Sequence, residues 1–225
     1  MEANNLALSD ISPLTSPIGV IDGESLPNLG FQSSHANQLV VFDTSVEDYE
    51  LLVRGIDDAA VLILDAKTDG IFLINSAIGE FLSLEALHII SHGSSGQLQL
   101  GATQRNAEVL GLYENTLQSW DDVLTDSADV LIYGCNVGVD AKGQTFLDQF
   151  SLLIGADVAA STNVTGSSTL GGDWDFEFST GQIETELALN AETVQAYAGI
   201  FANDYVVQTN PSFQKELVFA GIQEP

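Results

Sequence analysis

Short apolar runs alternate along the chain with stretches whose apolar residues recur every three to four positions. "QLVVFDTS" starts the regular pattern. Its apolar residues are β-branched or bulky and it is too short for a buried helix, so it predicts a strand. Asp43-Thr44-Ser45 follows and is expected to cap a helix through "VEDYELLVRGI". "AAVLILDA" (59–66) is the second strand. In "DGIFLINSAIGEFLS" the spacing of Ile71, Leu73, Ile74, Ile78 and Phe81 predicts a helix. "ALHIISH" is the third strand, and "GQLQLG" alternates like an exposed hairpin strand. "NAEVLGLYENTLQSWDDVL" reads as helix in two pieces and "ADVLIYG" as the fourth strand. "GQTFLDQFSLLIG" is an amphipathic helix ended by Gly155, and "ADVAAST" is the fifth strand. "STLGGDWDFEFSTG" predicts a terminal hairpin turning on Gly171-Gly172, and "AETVQAYAG" a last helix. Residues 1–37, punctuated by Pro13, Pro17 and Pro27, read as a leader. Residues 38–200 form the domain, and 201–225 read as a linker or the start of a following region.

Strands alternating with helices predict an α/β domain, with a mostly parallel sheet covered on both faces. In such sheets ligands sit beyond the carboxyl ends of the strands, where strand order reverses. Two runs end there on chemically active residues: "LHIISHG" on His92-Gly93 and "VLIYGC" on Cys135. On neighbouring strands the two would lie roughly 5 Å apart across the sheet.

Composition narrows the partners. The formal charge is −27, from 32 acids against 5 bases. Such a surface repels phosphate backbones, so nucleic acid is not an expected partner. No apolar run reaches the ~18 residues of a membrane span. The N-terminus lacks a basic segment leading into an apolar core, so it is not a standard secretory signal, although other export routes remain open. A single cysteine excludes an internal disulfide and a cysteine-rich zinc site but allows one thiol nucleophile.

Acyl transfer by a thiol needs a nucleophile, a proton carrier and oxyanion donors. Cys135 can attack a carbonyl carbon and His92 can carry the proton. Gly93, without a side chain, lets its N–H approach an oxyanion closely, and the Cys135 N–H is the second donor. A buried lone cysteine is also ordinary core material. What separates the two readings is the pairing of both residues with strand ends. His88 is read as structural, because strand residues four apart span roughly 13 Å. His35 falls in the leader. Trp120 and Trp174 are read as side-chain packing. No calcium-loop pattern occurs, so calcium enters only as an activator bound by scattered carboxylates, with no site named.

At these motifs the chain resembles the caspase-like cysteine peptidases, the group with clostripain, gingipains, legumain and separase. "SHGSSGQLQLG", "ADVLIYGCNVG" and "GADVAASTNVTGSSTLGGDWDFE" are similar to an uncharacterised domain near the N-terminus of very large bacterial surface adhesins of the cadherin and Calx-beta type. The resemblance covers about residues 38–200. It implies a caspase-like fold, a His92/Cys135 dyad, a polypeptide substrate, cleavage in cis being one option, and an extracellular or cell-surface setting. Gly134 stands where the better-known peptidases often have Ala. The segments expected to line a substrate pocket contain Ser94, Ser161, Thr162, Asp173 and Asp175 and no Lys or Arg, which argues against an aspartate-selecting pocket. Asp173 and Asp175, two apart, would share a strand face, where they either attract a basic side chain or simply face solvent, as acids on an acidic protein usually do. The alternatives are an inactive docking or anchoring module of an adhesin and, further off, a thioesterase or transpeptidase using the same dyad.

Overall fold

The computed structural model describes residues 20–21 and 36–202. The elements run β1 (Val20–Ile21), β2 (Gln38–Asp43), α1 (Tyr49–Val53), β3 (Ala60–Leu64), α2 (Gly70–Ile78) and β4 (Leu84–Ile90). A small three-stranded sheet follows, from β5 (Gly93–Ser94), β6 (Gln97–Leu100) and β7 (Thr103–Asn106). Then come α3 (Ala107–Leu110), α4 (Glu114–Gln118), β8 (Leu124–Tyr133), α5 (Ala141–Ile154), β9 (Asp157–Ala160), β10 (Phe178–Ser179) and α6 (Ala191–Ala196). The main sheet has the order β1-β3-β2-β4-β8-β9-β10. Every neighbouring pair is parallel except β9 and β10. Strand order reverses between β2 and β4, which puts the topological switch point beside the strand that carries His92.

Two-residue periodicity divides the strands between two cores. Leu39, Val41, Leu87, Ile89, Val130 and Ile132 face one side, against Ile71 and Ile74 of α2, Leu117 of α4 and Phe146 and Phe150 of α5. Val40, Phe42, Leu131, Tyr133 and Cys135 face the other, against Leu52 of α1, Leu189, Tyr197 and Phe201. The sheet is therefore covered on both faces, as the unbroken apolar runs require. Asp140 starts α5 by accepting from the Lys142 and Gly143 N–H groups at 3.0 Å each, and Gly155 ends it at φ 69.

Three local expectations change. Asp43 does not cap α1; that helix is entered through Asp48 at φ 51, with no side-chain cap. "GQLQLG" is not exposed on its apolar face, because Leu98 and Leu100 are buried in the core below α2 and α5. The antiparallel reversal at the sheet's C-terminal edge is present, but β10 pairs with β9 and no hairpin folds tightly on Gly171-Gly172. There the polar side chains bond locally instead of alternating across a ladder: Asp173 accepts from Asp175 N–H, and Glu177 accepts from Thr162 N–H. Apart from Val20–Ile21, the expected leader lies outside the described residues up to residue 35, His35 included. Phe201 and Ala202 are buried; the rest of the expected linker lies outside the described residues.

Candidate active site

β4 and β8 are adjacent and in register at their ends, Ile90 opposite Tyr133, so His92 and Cys135 leave neighbouring strands together. The His92 Nε2 lies 2.8 Å from the Ser45 carbonyl oxygen. A carbonyl only accepts, so Nε2 carries the proton, and in neutral imidazole Nδ1 is the acceptor. That Nδ1 is buried and has no hydrogen-bond partner among the described residues. Asp43, buried at the end of β2, fixes the Ser45 loop. Its Oδ1 accepts from Ser45 N–H at 2.9 Å and Ser45 Oγ at 2.5 Å, and its Oδ2 accepts from Gly101 N–H at 2.6 Å. The switch point is thus bridged by a chain from carboxylate to loop to imidazole.

Cys135 is 0% exposed. Its thiol donates to the Thr165 carbonyl at 3.5 Å and its sulfur accepts from Thr165 N–H at 3.3 Å. Burial pushes the thiol up to about 12, against a smaller opposite pull from neighbouring backbone N–H groups. Asn136 follows at φ 58, turning the chain sharply off the strand. Its N–H donates to the Asn163 carbonyl at 2.7 Å, which ties the cysteine turn to the loop after β9.

The two donors expected for an oxyanion converge on one oxygen. Gly93 N–H donates to the Phe201 carbonyl at 3.1 Å, and Cys135 N–H donates to the same oxygen at 3.3 Å. This convergence requires glycine at 93. A Cβ there would lie 2.5 Å from Val137 Cγ2 and 3.0 Å from the Gly134 backbone. A Cβ on Gly134 would in turn sit 3.0 Å from Val137 Cγ2 and 3.2 Å from Gly93 Cα, which accounts for glycine rather than alanine before the cysteine. The occupying segment is strand-like. Phe201 N–H donates to the Thr165 carbonyl at 3.0 Å, and Ser167 N–H donates to the Gly199 carbonyl at 2.8 Å. Single bridges join Gly166 to Ile200 antiparallel and Gly93 to Ala202 parallel. The Phe201 ring meets Trp174 edge-on at 5.5 Å and Tyr197 at 5.4 Å. Burial, then the charges of Glu47 and Asp48, raise the Tyr197 phenol well above its usual range, and its hydroxyl donates to the Glu47 carbonyl.

The five pocket candidates lie around this centre without forming one surface. Ser94, next to Gly93, donates to Gln97 Oε1 at 3.2 Å. Ser161 is buried and donates to Asn163 Oδ1, while Thr162 donates to Glu177 through N–H and hydroxyl. Asp173 accepts from Asn163 Nδ2 at 2.9 Å and from Asp175 N–H at 3.0 Å. Asp175 is exposed and lines an open groove of about 650 Å³ with Trp174, Phe176, Ile183 and Leu189. Neither His92 nor Cys135 lines that groove. Sequence reasoning read Asp43 and Ser45 only as a helix cap and passed over Thr165 and Phe201 as parts of the site. Only Asp43 carried a sign, as an acid at a strand's carboxyl end; the others act through backbone atoms.

Among the described residues no group of three or more His, Cys, Asp or Glu side chains is placed to hold a metal ion. No helix among them is long and apolar enough to cross a membrane. No curated protein matches the chain. A family model matches residues 39–201, from the first residues of β2 through the segment seated between Gly93 and Cys135. The chain belongs to that family, described as a domain of unknown function, DUF4347.

Proposed function

We propose that this domain is a cysteine endopeptidase or self-processing domain working through a His92–Cys135 dyad. The observation that carries the reading is the convergence of the Gly93 and Cys135 N–H groups on a single carbonyl oxygen. Separations of 3.1 and 3.3 Å suit a ground-state carbonyl, slightly beyond the ~2.7–3.1 Å expected once the oxygen becomes an oxyanion. The fixed His92 tautomer adds to it, since Nδ1 is the nitrogen left to accept a proton.

In the proposed reaction the Cys135 sulfur bonds to the carbonyl carbon as its proton passes to His92 Nδ1. The two backbone N–H groups hold the oxyanion. The C–N bond then breaks, His92 delivers the proton to the departing amine, and a thioester remains on Cys135. Water hydrolyses the thioester, releasing a carboxylic acid and restoring the thiol. The inferred setting is extracellular or at a bacterial cell surface, within a large adhesin. Its support is the resemblance described above, together with a charge of −27 suited to salt- or calcium-rich surroundings.

One observation favours a second reading, an inactive docking or anchoring module. Cys135 is fully buried and its thiol, at about 12, is neutral at physiological pH. The test is mass spectrometry of the chain itself and of a peptide library incubated with it, compared with Cys135→Ala, with and without calcium. The peptidase reading expects cuts, in cis or in trans, that disappear in Cys135→Ala. Absence of any cysteine-dependent cut under both conditions leaves the docking module.

A further inference from the structure

We infer that the bond this domain cuts is its own Phe201–Ala202 peptide bond. The inference rests on the peptidase reading and adds the substrate to it. A carbonyl in an ordinary strand ladder accepts from one neighbouring strand. The Phe201 carbonyl instead accepts from the backbone at two strand ends, and these are the two N–H groups beside the candidate nucleophile and proton carrier.

The rest of the segment is held as a peptide substrate is held by strand addition. Phe201 N–H and the Gly199 carbonyl bond to Thr165 and Ser167, so alternate residues of the segment are gripped by the loop after β9. The Thr165 carbonyl that receives Phe201 N–H also receives the Cys135 thiol, which brings sulfur and acyl residue to one oxygen. Gly166, at φ 127, allows this closeness: a Cβ there would lie 2.6 Å from the Gly199 carbonyl oxygen. The Phe201 side chain is 0% exposed between Trp174 and Tyr197, so the acyl-side pocket is aromatic and already filled.

In the cut, the Cys135 sulfur bonds to the Phe201 carbonyl carbon and the C–N bond to Ala202 breaks. The thiol proton reaches the new Ala202 amine through His92. Water then releases Phe201 as a carboxylate, one oxygen of which stays between Gly93 and Cys135 N–H. The chain remaining on the domain ends in its own product.

The test is intact-mass measurement of the full chain over time, with and without calcium, with new termini mapped by peptide sequencing. The same preparation is offered a peptide library. The expected result is a cysteine-dependent cut whose new N-terminus is Ala202. It is lost in Cys135→Ala and in Ala202→Pro, which makes the leaving nitrogen part of a tertiary amide. Cysteine-dependent cuts confined to other bonds, or to added peptides, overturn the inference and leave the peptidase reading standing. No cysteine-dependent cut in cis or in trans overturns both.

Discussion

His88 shows how a single buried residue ties stability to pH. It sits in β4 with both ring nitrogens engaged, Nδ1 3.1 Å from Tyr133 Oη and Nε2 3.3 Å from Gln38 Oε1. Tyr133 Oη in turn accepts from Ala188 N–H at 3.0 Å, so the network is complete with a neutral imidazole. Burial lowers the imidazole from 6.5 to about 4, against an opposing attraction from Asp129. The unfolded chain therefore binds a proton that the folded one refuses between those values. The stabilisation is fully present above pH 6.5 and is lost as pH falls towards 4. The difference corresponds to roughly 3 kcal/mol at ~1.4 kcal/mol per pH unit. Denaturant midpoints are expected to fall across that window, with a flatter slope in His88→Gln. At this scale the sequence singled out His92, Gly93 and Cys135 as candidates, because each is a distinctive residue at the end of an apolar run. It hid Ser45, Thr165 and Phe201, because a backbone carbonyl or N–H looks the same on every residue. Asp43 was visible but misassigned: an acid followed by Thr and Ser after a strand matches a helix cap, and only the fold reveals its bonds to Ser45 and Gly101.

Among the elements, α5 is where periodicity spoke most clearly. Phe146, Leu147, Phe150 and Ile154 form its buried stripe, whereas Leu152 is 84% exposed. Phe150 packs edge-on to Trp120 at 6.2 Å and parallel to Phe146 at 6.3 Å. Phe150→Ala is expected to cost about 3–5 kcal/mol, the range for emptying a packed aromatic site. Leu152→Ala should stay within about 0.5 kcal/mol, as exposed positions do. Urea unfolding of both variants checks the contrast, and comparable losses would mean that α5 docks through another face. The β6 strand shows the limit of such reading. Its alternation fixes which residues share a face but not whether anything covers that face, and here the core below α2 covers Leu98 and Leu100. At the C-terminal edge the antiparallel pairing is present, β10 on β9, and only the turn's place differs: carboxylates of Asp173 and Glu177 satisfy nearby N–H groups and draw that stretch out of the ladder.

For the whole molecule, the α/β layering was legible because fully buried strands produce long apolar runs, and the general rule for parallel sheets chose where the candidate site was sought. Charge also acts at this scale. With 32 acids and 5 bases, few carboxylates have a cationic partner, and their mutual repulsion opposes the compact state. Salt screens it over a Debye length of ~10 Å at 0.1 M. The melting temperature is expected to climb as sodium chloride is raised from low millimolar to half molar, and a flat response would mean that the acids are spaced widely enough not to interact. The seated Phe201 carbonyl has a consequence of another kind. An occupant joined to its own host competes at an effective concentration in the millimolar range, whatever the bulk concentration. A reaction at that bond would be first order, indifferent to dilution, and limited to one turnover per chain, so that the domain would behave less as a recycling catalyst than as a timer spent once by each molecule.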